Sequence, residues 1–135
     1  MSAEHLNEER PTHPRGYRVF RPRWEERPTN LLSCQFEKEV ELDWVRVAKH
    51  KNVGVAAYKI AMLNSNVYKI SSLAVDEEYR GCGLGSWLLL HALGLIESKG
   101  GQTVHANWGC RSSLLQRIGF EQVQGSEYRL KLERE

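Results

Sequence analysis

A chain of 135 residues that is 41% hydrophobic and 27% charged has the size and composition of one folded domain, not of a disordered polymer. A formal net charge of +2 argues against the broad basic face that nucleic acid demands. No apolar stretch reaches the roughly 18 residues that cross a bilayer, and the opening MSAEHLNEERPTHPRGYR lacks the apolar segment of a secretory leader. The expectation is a cytoplasmic protein that meets small molecules or a protein partner, with no nucleic acid and no membrane.

Residues 1–15 are polar and carry Pro11 and Pro14, so they read as a flexible arm ahead of a single domain over 16–135. Tyr17 to Arg21 alternates as a short strand. Pro22 and Pro28 then bracket a turn-rich piece. In TNLLSCQFEKEVELDW, Leu32, Phe36 and Val40 recur every four residues, as in a helix that Thr29 or Asn30 caps. Val40, Leu42 and Trp44 also alternate with acids, as in a strand. A helix yielding to a strand near residue 38 satisfies both patterns, and the choice stays open. WVRVA, VGVAAYKIAML and VYKISSLAV read as three strands, joined by the turns KHKN and NSN into an antiparallel meander.

A glycine-rich loop follows, then a helix from about Leu84 to Lys99. Leu84, Leu88, His91, Ala92 and Leu95 form its stripe, widened by Leu89, Leu93 and Ile96. Lys99 suits its negative end, and Gly100 and Gly101 end it. QTVHANW is the next strand, so a right-handed crossover should make a locally parallel pair. RSSLLQRIGF reads as a second helix ended by Gly119, and SEYRLKLER as the strand that closes the sheet. Cys34, Cys82 and Cys110 are odd in number and far apart, so neither disulfides nor a metal cluster is expected.

The loop raises a question. Gly81, Gly83 and Gly85 fall within five residues at a helix mouth, although glycine costs a helix about 1 kcal/mol relative to alanine. The first N–H groups of a helix have no internal partner and stand at the positive end of its dipole. They bind phosphate where the backbone can approach closely, and glycines allow that approach. Arg80 adds a guanidinium suited to phosphate oxygens. The physical reading of RGCGLGS is a diphosphate cradle; tight packing of strand against helix is the alternative. Two other phosphate motifs fail on spacing. The dinucleotide fingerprint G-x-G-x-x-G meets Ser86 where its third glycine belongs, and no Gly-Lys-Ser/Thr triplet exists.

At these residues the chain resembles the GNAT superfamily of acetyl-CoA-dependent N-acetyltransferases. LAVDEEYRGCGLGSWLL matches that family's coenzyme A motif, with Val75, Asp76, Tyr79, Arg80 and Gly81 in the flank and Arg80 to Gly85 in the motif. LLQRIGF resembles the family's second-helix ending, and the element order agrees from about Val53 to Leu132. The resemblance implies an α/β (α+β) fold: a mixed central sheet, an antiparallel N-terminal meander, a strand–helix–strand crossover, and helices on both faces. It implies acetyl-CoA as cosubstrate, without a metal. The strand before the motif would splay from its neighbour, and Leu73, Ala74 and Val75 would pair with the pantetheine arm. Arg80, Gly81, Cys82, Gly83, Leu84, Gly85 and Ser86 would surround the diphosphate. The acceptor would be an amine of a small molecule, peptide or protein, attacking the thioester directly; a homodimer is an open option.

The chain also departs from the family. The position of the usual acid, a tyrosine four residues before the helix-ending glycine, holds Leu115. The strand before the loop reads Ser71-Ser72, where an acidic base often stands. Proton transfer then falls to His105, Tyr58, Tyr68 or water, and histidine is the residue type that titrates near neutrality. Each of these also has an ordinary structural reading. Cys82 reads as a small filler of the loop, Trp108 either lines a pocket or packs, and Glu37, Glu39, Glu41 and Asp43 read as a solvated face. An N-acetyltransferase is the first reading. The second is a catalytically weak or inactive acyl-CoA-binding module that acts through a protein partner.

Overall fold

The structure is a computed structural model that describes residues 17–21, 44–51, 53–81, 83–108 and 112–132. The N-terminal arm, the ambiguous segment before Trp44 with its four acids, and all three cysteines lie outside the described residues. Strands β1 (Arg18–Phe20), β2 (Val45–His50), β3 (Val53–Met62) and β4 (Val67–Val75) pair in sequence, all antiparallel. This is the meander expected from the β-branched runs and short polar turns. Lys51 takes φ 52° in the first turn. In the second, the Asn64 side chain accepts from the amides of Asn66 and Val67, which tightens the bend.

Helix α1 (Leu84–Ser98) follows β4 and leads to β5 (Thr103–Asn107), which pairs parallel to β4. Gly100, at φ 93°, ends α1: its amide returns to Glu97 and that of Gly101 to Ile96. Helix α2 (Ser112–Ile118) ends in the same way at Gly119, φ 119°. The chain then makes β6 (Glu121–Gln124) and β7 (Glu127–Lys131), and the strand order is β1-β2-β3-β4-β5-β7-β6. The last strand therefore does not close the sheet. It inserts beside β5, and β6 becomes the edge. All four β6 residues are exposed, so the segment lacks the alternation that betrays a half-buried strand.

Pleating sends Tyr58, Ile60, Ile70 and Val104 to one face, where they are fully buried together with Leu88, Leu89 and Ile96 of α1 and Leu115 of α2. His91 and Leu95, expected in the α1 stripe, lie at its half-buried flank. Val45, Val47 and Ala57 form a second buried cluster on the opposite face. Both described helices pack on the first face; a helix on the second would have to come from outside the described residues. No helix among the described residues is long and apolar enough to cross a membrane.

Candidate cofactor site at the mouth of helix α1

Strands β4 and β5 pair only from Val67–Thr103 to Ile70–Ala106. Beyond that point β4 runs on to Val75 with β3 alone beside it. The parting coincides with a β-bulge. Ile70 faces Ile60 and Ser72 faces Lys59, so Ser71 is the extra residue. The Asp76 amide donates to Val55 in β3, 2.7 Å away. Alternate residues of a strand turn their main-chain groups to opposite sides. Leu73 and Val75 therefore present theirs to the wedge, while Ala74 turns its own toward Ala57 and rests its side chain on the second cluster. Trp108, just past β5, closes the narrow end, its indole Nε1 donating to the Ile70 carbonyl at 2.8 Å.

The open end of the wedge meets a cavity of about 490 Å³ lined by Val75, Arg80, Gly81, Gly83, Leu84, Gly85, Ser86, Leu114 and Arg117. Seven of the ten residues that the sequence assigned to a cofactor stand in this lining. Leu73 and Ala74 lie along the wedge instead, and Cys82 is outside the described residues. Gly81 and Gly83 have φ 91° and 85°, a conformation that side-chained residues rarely adopt. Gly83 is the N-cap of α1, and the helix's own bonding starts with the Trp87 amide on the Gly83 carbonyl. Among the described residues no side chain caps this end, and no acid stands in the first turn. Most helices cover their leading amides with a Ser, Thr, Asp or Asn side chain. Here the amides of Leu84, Gly85 and Ser86 and the positive end of the dipole are left for an anion.

Two guanidinium groups flank that end. Arg80 Nε donates to the Val75 carbonyl at 3.1 Å, which folds the side chain back over the end of β4. Arg117 Nη2 donates to Ser86 Oγ, also at 3.1 Å. Sequence reasoning missed Arg117 and Leu114, because α2 reaches the cavity only through the tertiary fold. The signal available was a basic residue in the last turn of a helix, which reads equally well as a dipole partner.

The loop is held from behind. Asp76 Oδ1 accepts the Glu78 amide and caps the short 3₁₀ turn Glu77–Tyr79. The Tyr79 hydroxyl shares a 2.7 Å hydrogen bond with His50 Nδ1 at the end of β2. Tyr17 packs edge-on against both rings. Asp76 and Tyr79 thus anchor the cradle rather than line it.

The candidates for proton transfer separate clearly. Tyr58 is fully buried, and its hydroxyl lies 2.7 Å from His91 Nδ1. Burial raises the Tyr58 pKa well above the ordinary tyrosine range, against a smaller opposing effect of the Arg46 guanidinium. Burial first, and Arg46 second, hold His91 below the ordinary histidine value. The Tyr58 hydroxyl and His91 Nδ1 are thus committed to each other. Tyr68 is buried too and points its hydroxyl at the Lys99 carbonyl, at the far end of β4. Leu115 is fully buried and holds no proton to give. His105 is half-buried on β5, in register with Lys69 and Arg129, so these three side chains leave the same face, opposite α1.

The sequence model of the acetyltransferase (GNAT) family matches residues 4–121. No curated protein matches the chain in sequence. Among solved structures, IAA acetyltransferase from Bacillus cereus aligns with a TM-score of 0.69 and 19% identity, over 86% of this chain and 99% of its own. A GNAT family acetyltransferase from Elizabethkingia anophelis, solved with acetyl-CoA bound, gives 0.62 and 18%, over 78% and 90%. N-acetylglutamate synthase from Neisseria gonorrhoeae, complexed with coenzyme A and N-acetyl-glutamate, gives 0.74 and 13%, over 87% of this chain but only 35% of that longer one. At these identities the likeness is one of fold.

Proposed function

Since the chain belongs to the acetyltransferase (GNAT) family, whose chemistry is acyl transfer, we propose that it moves an acetyl group from acetyl-CoA directly to a primary amine of a small molecule, peptide or protein. The observation that carries this reading is the cavity of about 490 Å³ at an uncapped helix mouth that opens into the β4–β5 wedge. A negative tail fits the first part and an extended amide chain the second. The residues present suit coenzyme A on both counts.

The main-chain amides of Gly81, Gly83, Leu84, Gly85 and Ser86 hold the diphosphate, with the guanidinium groups of Arg80 and Arg117 beside them. Leu73 and Val75 pair with the pantetheine arm as a neighbouring strand would. Bound acetyl-CoA supplies an acetyl group activated as a thioester. The amide of Leu73, the wedge-facing residue nearer Ile70 and Trp108, donates to the carbonyl oxygen on which charge builds. An attacking amine must be neutral, whereas a free alkylamine has a pKa of about 10. His105, on the face opposite α1 and not committed to a buried partner as Tyr58 and Tyr68 are, takes the proton. With Leu115 buried, the departing thiolate is protonated by solvent.

Two measurements test the reading. Calorimetric titration of the folded protein with acetyl-CoA must show saturable binding; its absence ends every coenzyme A reading. Thiol release with acetyl-CoA and a panel of amines and peptides then tests transfer. Tight binding without release across the panel would favour the competing reading of a regulatory module, for which Leu115 is the specific observation.

A further inference from the structure

The Ile70 carbonyl belongs to the last β4 residue paired with β5, and Trp108 is the first residue past β5. The 2.8 Å bond between them spans the point where the strands part. The indole is half-buried and packs against the main core, so it is held at both its polar edge and its ring. It is a fixed wall, not a swinging side chain. From Ser71 to Val75 the unpaired edge of β4 extends roughly 17 Å at about 3.3 Å per residue. Val75 stands at the far end of that edge and also lines the cavity at the helix mouth.

This geometry orients any chain that lies along the edge with its phosphates in the cavity: its free end points at Ile70 and Trp108. Resting on the coenzyme A reading above, we propose that Trp108 sets the acyl-length limit of the enzyme. The indole ends the wedge just beyond an acetyl group and excludes longer acyl chains. The group that would have to yield is bonded to the sheet, so a longer chain must either break that bond or withdraw the arm from its strand pairing. Both penalties grow with each added methylene.

The test is a set of binding titrations with CoA, acetyl-CoA, propionyl-CoA, butyryl-CoA and hexanoyl-CoA, which need no acceptor and no turnover. For the natural chain, affinity should fall beyond acetyl, by about 10-fold or more at butyryl. Trp108→Phe removes the indole N–H but keeps a ring, and should preserve that ranking. Trp108→Ala opens the end and should bring butyryl-CoA and hexanoyl-CoA level with acetyl-CoA or tighter, with affinity for CoA itself within about 3-fold of the natural value. Trp108→Leu, which retains core packing, serves the same purpose if the alanine variant fails to fold. A natural chain that binds hexanoyl-CoA as tightly as acetyl-CoA overturns the proposal. So does a falling ranking that the folded alanine or leucine variant leaves unchanged. A folded natural chain that binds none of the series, CoA included, sinks the coenzyme A reading itself, which is a different failure.

Discussion

Gly83 combines two demands that no other residue type meets together. Its φ of 85° costs an L-residue roughly 1–2 kcal/mol, and its amide stands at the mouth of α1 beside the cavity. Gly83→Glu adds both a strained side chain and a negative charge where phosphate is expected. We expect acetyl-CoA affinity to fall about 100-fold, the loss of one or two charge-assisted hydrogen bonds. Calorimetry would read this, and chemical denaturation should register only the smaller backbone strain. Arg117 separates charge from backbone. It is exposed and, among the described residues, tied only to Ser86, so Arg117→Ala should leave the thermal midpoint nearly unchanged. It should weaken acetyl-CoA about 10-fold, with the deficit shrinking at high salt as the charge is screened.

At the scale of elements, α1 is fastened to the sheet by a polar pair inside an apolar interface. Tyr58 lies deep on β3 and His91 on the flank of α1. The native state keeps His91 neutral by burial and by the nearby Arg46, whereas the unfolded chain protonates it near its ordinary value of about 6.5. Acid therefore draws the equilibrium toward the unfolded chain. Stability from this pair is complete above about pH 6.5 and declines as pH falls below it. Thermal midpoints measured from pH 5 to 8 should show that slope, and His91→Leu should flatten it. The glycine loop and α1 were legible in the sequence because their local chemistry has few other uses: three glycines at a helix mouth, and an apolar stripe ended by Gly100. The bulge at Ser71, the insertion of β7 and the approach of Arg117 were not. Two polar residues in a strand do not say which is the extra one, an edge strand with four exposed residues has no periodic signal, and a contact between two helices is not encoded by either alone.

For the whole molecule, a ligand that bridges α1, α2 and β4 should tie these elements together. At 100 times its Kd, acetyl-CoA would stabilise the native state by about 2.7 kcal/mol. For a chain of this size that is a rise of about 10 °C in thermal midpoint, shrinking to about 1–2 °C in Gly83→Glu at the same ligand concentration. The same coupling runs outward, because the loop behind the cradle is bonded through Tyr79 to the end of β2. The bulge at Ser71 has a consequence of another kind. It switches the strand's odd–even frame: Ile70 and Tyr68 point into the core before it, Leu73 and Val75 after it. Chain length at this point is therefore more tightly constrained than residue identity. Ser71→Ala should be silent in a thermal melt. Deleting Ser71 would leave Leu73 and Val75 inward by plain alternation but remove the bulge at which β4 parts from β5, so the shortened chain should keep much of its stability and lose coenzyme A binding.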